Sequence, residues 1–285
     1  MPFSVKILRF FGILLLSLCA LGVAGMTWAY LVEPNLLFVR KVDYRVPQWK
    51  GKGTPVKVVI AGDLHLMPTA FDEVRALRYI QRIMRLRPDL ILLVGDYARG
   101  SSENASMDPA TAARLLKGLT APCGVFAIQG NHDFTFGWNN WSRELKQAGI
   151  TVLEDQSSLV TFKDGRQLQL SGILDTTRNV RKRLPKRQSP DIPHFLLSHR
   201  PEFFELYAAQ GFDLALCGHA HGGQFRIPGI LNGLYAPNQG FFPKYAGGEY
   251  HKKRTVMIVS RGLARESTRV PRFYNRPELV IIDIV

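Results

Sequence analysis

An uncharged run from Phe10 to Val32, 23 residues rich in Leu, Ile, Phe and Val, opens the chain's hydrophobic pattern. At about 1.5 Å of rise per residue, a helix of that length crosses a ~30 Å hydrocarbon core. Residues 33–54 break every regular period with Pro34, Pro47, Gly51 and Gly53, and read as a basic juxtamembrane linker. Beyond it, short apolar runs alternate with helical patterns. Val56–Ala61 and Leu90–Val94 are buried-strand runs. Between them Val74, Leu77, Ile80, Ile83 and Leu86 recur at helical spacing over 71–86. Arg75, Arg78, Arg82 and Arg85 fall on the opposite face, which is expected to meet solvent or lipid. Helices are predicted near 109–119 and 139–148, with a strand at 124–128 between them. Strands at 158–163 and 167–173 flank Asp164-Gly165, a hairpin signal. Four more strands fall at 193–198, 213–217, 256–260 and 279–284.

This order predicts an α/β fold: a four-layer α/β/β/α sandwich of two mixed sheets, preceded by one N-terminal transmembrane helix. Residues 1–32 form the membrane anchor, 33–54 the linker and 55–285 the folded domain. Lys6 and Arg9 would also suit the start of a cleaved signal peptide. The apolar run exceeds the ~7–15 residues of a signal core, however, and no small-residue cleavage site closes it. An uncleaved single-pass anchor in the cell (inner) membrane is the better reading, with Trp28 and Tyr30 at the interface. Arg40, Lys41, Arg45, Lys50 and Lys52 follow the span and favour a cytoplasmic domain; a domain held at the outer face is the alternative.

Composition narrows the class. With 46% apolar and 21% charged residues, the 285-residue chain can build a core, which excludes a disordered protein. Cys19, Cys123 and Cys217 are too few and too scattered for a disulfide framework or a thiolate zinc site. The net charge of +14 invites a polyanion, but the segments 40–57, 178–188 and 251–276 together carry +18 and the remainder −4. Such local patches suit the lipid bilayer surface and phosphorylated substrates. No nucleic-acid reading element or stacking motif is present, so nucleic acid is not an expected partner.

The chemistry sits at the strand ends. The strand at 56–61 runs into Gly62-Asp63-Leu64-His65, that at 90–94 into Gly95-Asp96, and that at 124–128 into Gly130-Asn131-His132-Asp133. Later strands run into His199 and into Gly218-His219-Ala220-His221-Gly222-Gly223-Gln224. Ligands bind beyond the carboxyl ends of strands in open α/β sheets. Asp63, His65, Asp96, Asn131, His199, His219 and His221 mix carboxylate, amide and imidazole without thiolate, a set that suits Mn, Fe, Co or Zn. Seven ligands exceed the need of one ion. Two divalent metal ions sharing a carboxylate would activate a hydroxide and clamp a phosphoryl group.

This ordered set of motifs resembles the calcineurin-like metallophosphoesterase superfamily over about residues 56–285. The G-H-A-H-G-G-Q segment and Arg276-Pro277-Glu278 are similar to its membrane-anchored YkuE/YaeI-like branch, which includes UDP-2,3-diacylglucosamine pyrophosphatases of lipid A synthesis. The resemblance implies one ion, most readily Mn, on Asp63, His65, Asp96 and His221. It implies a second on Asp96, Asn131, His199 and His219, with Asp96 bridging. His132 would touch the phosphoryl group or protonate the leaving oxygen. Asp133 would orient His132, or else cap a turn. Ala220 and Gly262-Leu263-Ala264 depart from residues common in that branch.

The expected activity is therefore a binuclear-metal phosphoesterase or pyrophosphatase acting on a lipid-linked or small phosphodiester substrate. UDP-2,3-diacylglucosamine is the specific candidate. Arg178, Arg181, Lys182, Arg183, Arg265 and Arg272 are the candidate substrate or membrane contacts. A nuclease or cyclic-nucleotide phosphodiesterase and a membrane-bound interaction protein with an inactive site are the alternatives. The Phe241-Phe242 run with Tyr245 reads either as core or as a lipid-facing loop.

Overall fold

The computed structural model describes residues 3–49, 53–99, 106–265 and 270–285. Lys50, Lys52 and Arg269 lie outside the described residues. Helix α1 (Phe3–Thr27) continues through a π-helical stretch at Trp28–Val32 and a 3-10 turn at Glu33–Asn35. Among the described residues, this is the one helix long and apolar enough to cross a membrane. Its Leu8, Phe10, Leu16 and Leu21 are exposed, so no protein core accounts for their apolar character.

The expected linker contains a strand. Strand β1 (Phe38–Tyr44) pairs in parallel with the C-terminal strand β14 (Glu278–Ile284) along its whole length. Arg40 Nε donates to Glu278 Oε1 at 3.0 Å across that pair, so a charge in the pattern belongs to the ladder. The sandwich therefore begins within residues 33–54.

From there the chain alternates as expected. Strand β2 (Val56–Ala61), helix α2 (Ala70–Arg85), strand β3 (Leu90–Leu93), helix α3 (Pro109–Leu116) and strand β4 (Val125–Ala127) follow in order. Short helix α4 (Asn131–Thr135), helix α5 (Trp138–Gln147) and the two-residue strand β5 (Thr151–Val152) complete this half. The first sheet has the order β1-β14-β2-β3-β4-β5 and is parallel except between β14 and β2. The second half holds β6 (Gln156–Thr161), β7 (Gln167–Gly172), α6 (Val180–Arg183), β8 (His194–Leu197), α7 (Phe204–Gln210) and β9 (Leu214–Cys217). A small hairpin of β10 (Tyr235–Ala236) and β11 (Gly240–Phe241) precedes β12 (Gly248–Lys252) and β13 (Thr255–Val259). The second sheet runs β12-β13-β9-β8-β7-β6. Its β6-β7 hairpin turns at Asp164-Gly165, where Gly165 takes φ 81°, a conformation that suits glycine.

Both faces of each sheet are buried, which explains apolar runs instead of alternation. Val58, Ile60, Leu90 and Leu92 meet Leu170, Phe195, Leu197 and Leu216 between the sheets. Val59, Ile91, Leu93 and Ala127 pack outward on Ile80 and Ile83 of α2, Leu116 of α3 and Trp141 of α5. Leu196, Ala215 and Met257 do the same under Phe204 and Tyr207 of α7. Four layers result.

Helix α2 keeps its expected faces at Ile80 and Ile83, which are buried, and at Arg78, Arg82 and Arg85, which are exposed, but departs from them in its first half. Val74 and Leu77 are 46% and 43% exposed, whereas Arg75 is 7% exposed. The Arg75 guanidinium pairs with Asp72 at 2.9 Å and reaches Leu64 O at 3.4 Å, so its charge is satisfied on the inner face. It is neither solvated nor lipid-facing.

Asp213, at the start of β9, ties the lower edge of the second sheet. It accepts from His194 N at 2.8 Å, from Arg187 at 2.6 Å, from Gln48 at 3.3 Å and from Arg254. Burial raises its carboxyl pKa, but Arg254, the His194 N–H and Arg187 outweigh burial and hold it below the usual range. Asp213→Ala should cost about 2–3 kcal/mol, because it leaves a buried amide and Arg187 without their acceptor. A depressed carboxylate stabilises above its unfolded pKa and loses that stabilisation as pH falls. The wild-type advantage in urea midpoint should thus be full at pH 7 and shrink below about pH 4.

Candidate metal centre

The candidate ligands meet where both sheets end. Asp63 N donates to Gly95 O at 2.9 Å and His65 N to Asp96 O at 3.1 Å, locking the two loops of the first sheet together. His199 Nδ1 lies 2.7 Å from Val94 O, and His219 N donates to Asp63 Oδ1 at 3.0 Å, so the second sheet is tied to the first. Asp63, His65, Asp96, His219 and His221 all have φ between 45° and 68°. L-residues resist that region, and five such residues at one place mark a backbone bent to aim side chains. Gly130 is required for a different reason. A Cβ there would lie 2.1 Å from Asp96 Oδ1.

Two groups of donors result. Asp63, His65, Asp96 and His221 offer ligand atoms all within 4.8 Å of one another, as do Asp96, His199 and His219. Asp96 belongs to both. Its Oδ2 stands 3.1 Å from His199 Nε2 and 3.5 Å from His65 Nε2, while His65 Nε2 and His221 Nε2 are 3.3 Å apart. Asp63 Oδ2, Asp96 Oδ2, Asn131 Oδ1, His199 Nε2 and His221 Nδ1 are buried without a well-directed hydrogen bond. Such a convergence of unspent donors is costly unless a cation fills it.

The proton affinities agree. Burial lowers the imidazole pKa of His65 to about 3 and of His219 to about 3, and burial then His65 hold His221 well below its ordinary value. Neutral rings keep lone pairs for a metal. His199 is the exception: burial lowers it, but Asp96 and Asp63 outweigh burial and push it to about 10. The same negative field that holds a proton there would hold a divalent ion. With His199 Nδ1–H directed at Val94 O, Nε2 faces inward. The residues present therefore fit two ions that share Asp96.

His132 sits beside this centre, its ring edge-on to His65 with centroids 4.7 Å apart and its N–H donating to Asp96 Oδ1 at 2.9 Å. Asp133 does something else. Its carboxylate accepts N–H groups from Asp96 at 2.8 Å, Tyr97 at 2.9 Å, Ala98 at 3.0 Å and Gly130 at 2.8 Å. It caps the first turn of α4 at Gly130 and shapes the loop that carries Asp96, so of the two expectations for Asp133 the turn cap is the one met.

The basic candidates separate. Arg178 and Arg183 line a cavity of about 800 Å³ beside Asn131, and Arg183 also pairs with Asp155 at 2.5 Å. Arg181 and Lys182 are exposed on α6. Arg265 reaches Tyr30 O, in the π-helical stretch that follows α1, at 3.3 Å and lies over the Phe71 ring. Arg272 is buried and donates to Arg261 O at 2.9 Å, Gly262 O at 3.3 Å and Asn275 O at 3.3 Å. Its two terminal nitrogens are held by three carbonyls and its side chain is buried, so it reads as a structural cation and not as a surface contact.

Sequence reasoning missed the supports of the site. Asn238 Oδ1 faces His219 Nε2 at 2.8 Å and accepts from Arg200 at 2.7 Å; Arg200 in turn grips Asp175 at 2.7 and 2.9 Å. An asparagine in a polar loop carries no local signal for that task. Gly262 lies so close to Asp63 that a Cβ would come within 2.6 Å of its Cβ, whereas Ala264 is simply buried. The first position of the Gly-x-Ala departure thus keeps the contact that matters.

Residues 56–223 match the family model described as calcineurin-like phosphoesterase. The chain belongs to that family. As a calcineurin-like phosphoesterase it is a metal-dependent hydrolase of phosphate esters. It is 29% identical to "Phosphodiesterase YaeI" of Escherichia coli over 92% of this chain and 93% of that one. It is 24% identical to "UDP-2,3-diacylglucosamine pyrophosphatase LpxG" of Chlamydia muridarum over 94% and 95%. Among solved structures, the calcineurin-like phosphoesterase YfkN of Bacillus subtilis aligns with TM-score 0.46 and 14% identity, covering 74% of this chain and 82% of that one.

Proposed function

We propose that this calcineurin-like phosphoesterase hydrolyses the phosphodiester or pyrophosphate bond of a lipid-linked substrate at a membrane surface, with UDP-2,3-diacylglucosamine the specific candidate. The observation that carries the reaction is Asp96, one carboxylate common to two donor groups. Asp63, His65, Asp96 and His221 would hold one ion, and Asp96, Asn131, His199 and His219 the other; the mixed oxygen and nitrogen donors suit Mn, Fe, Co or Zn, and the family resemblance favours Mn. When bound, such a pair supplies Lewis-acid charge and an activated water. Asp63 and Asp96 fix the centre between the sheets, and Asn238 sets the ring plane of His219. His132, at the first turn of α4 with its ring edge-on to His65, would give a proton to the leaving oxygen, as the family resemblance implies.

Three features favour a lipidic substrate. The apolar N-terminal helix emerges against the catalytic domain, at Arg265. Phe241 and Phe242, three and four residues past Asn238, are 70% and 71% exposed, while Tyr245 is buried. LpxG is similar over nearly the whole chain. The cavity beside Asn131, with Arg178 and Arg183 on its wall, suits the charged end of the substrate. Arg178→Ala should raise KM for a pyrophosphate substrate about 5- to 10-fold with kcat nearly unchanged, as for loss of uniform binding. The basic residues after the span favour a cytoplasmic domain, which a C-terminal fusion reporter checks.

The deciding experiment assays Mn²⁺-loaded protein against UDP-2,3-diacylglucosamine, simple phosphodiesters, phosphomonoesters and cyclic nucleotides in mixed micelles. Preference for the lipid by at least tenfold in kcat/KM is expected. Equal turnover of water-soluble diesters would leave a general phosphodiesterase, the reading closer to YaeI.

A further inference from the structure

Glu33 is a buried acid that the reaction does not use. It stands where the membrane helix ends and is 3% exposed. Its Oε2 accepts Trp28 Nε1–H at 3.2 Å and Tyr274 N–H at 2.9 Å, and its Oε1 accepts Asn275 N–H. Asn275, with no exposed surface, turns its side-chain amide to His221 O at 2.7 Å and Gln224 O at 3.0 Å. A continuous path of hydrogen bonds thus leads from the exit of α1 to the turn that carries a candidate ligand.

That turn depends on outside support. His221, Gly222 and Gly223 have φ of 48°, 64° and 68°, three successive residues in the left-handed region. A run of that kind is not held by its own preferences. There is no slack against Asn275 either, since a Cβ on Gly222 would lie 2.1 Å from its Oδ1. The same segment is gripped from the other side by Arg272, which reaches Asn275 O and also Gly262 O, next to Asp63.

We infer that Glu33 is a positioning residue: through Asn275 it sets His221, and so couples the affinity of the first ion to the seating of the membrane helix on the catalytic domain. The inference rests on the two-ion reading above. Partners one shell beyond a ligand change metal affinity about 10- to 100-fold when removed, and Glu33 acts one link further out. Coupling is reciprocal, so a bound ion should also tighten the helix exit.

The test uses full-length protein in detergent micelles, titrated calorimetrically with Mn²⁺ alone. Wild type should show two binding events. Glu33→Ala should weaken one about tenfold and leave the other, Asn275→Ala should weaken the same event at least as much, and the double variant should add little to Asn275→Ala. Glu33→Gln, which keeps the volume and one acceptor oxygen, should fall between wild type and Glu33→Ala and serves if the alanine variant does not fold. Hydrogen exchange at the Tyr274 and Asn275 amides should slow on adding Mn²⁺ in wild type and not in Glu33→Ala. Wild-type affinity at both sites in the Glu33 variants, or an equal loss at both, would overturn the coupling. Absence of Mn²⁺ binding by wild type would overturn the two-ion reading itself, and this inference with it.

Discussion

Asp96→Ala should leave the purified protein with fewer than one bound divalent ion per chain and reduce kcat by about 10³-fold or more, the scale of losing a preorganised electrostatic element. The argument is geometric. Asp96 Oδ2 faces His199 at 3.1 Å and His65 at 3.5 Å, one from each donor group, and its Oδ1 receives His132 N at 2.9 Å. No other carboxylate belongs to both groups among the described residues. Asp63→Ala makes the contrast, because Asp63 stands only with His65, Asp96 and His221 and should lose one ion while the other stays. Elemental analysis after gel filtration, paired with turnover of a phosphodiester, measures both. Two retained ions in Asp96→Ala, or unchanged turnover, would remove the basis of the shared centre.

The convergence of the candidate ligands was legible because polar residues at the ends of wholly apolar strands have few structural uses. A carboxylate after Val58–Ala61 or a histidine after Phe195–Leu197 must either be paired or bind something. The two sheets were legible for the same reason: runs buried on both faces look alike wherever they fall. What failed depended on partners distant in sequence. Arg75 looked solvated because nothing local reveals that Asp72 and Leu64 O would satisfy it. Strand β1 was hidden in the linker because Pro34, Pro47, Gly51 and Gly53 flank it, and the Glu278 that compensates Arg40 lies 238 residues away. For Asp133 the sequence left two roles open, orienting His132 or capping a turn, and only the assembled loops show its two oxygens taken by backbone amides. Arg272 failed likewise: a basic stretch predicts exposure, and only the assembled loops supply three carbonyls for a buried guanidinium. Charge patterning therefore located the segments but not the direction in which each charge points.

His132→Ala should divide substrates by their leaving groups. His132 carries no ligand assignment, yet its ring abuts His65 and its backbone is held by Asp96, so removing the ring leaves both donor groups intact. If it protonates the departing oxygen, an alkyl phosphodiester or a pyrophosphate should lose about 10²- to 10⁴-fold in kcat, the usual range for a general acid. An aryl ester such as a p-nitrophenyl diester needs little protonation and should lose at least tenfold less. The metal content should stay at the wild-type value, which separates this effect from that of Asp96→Ala. Should both ester classes fall equally, the ring serves to hold the phosphoryl group and not to donate a proton. Should neither fall, His132 has no part in the reaction, and the acid must come from elsewhere in the centre.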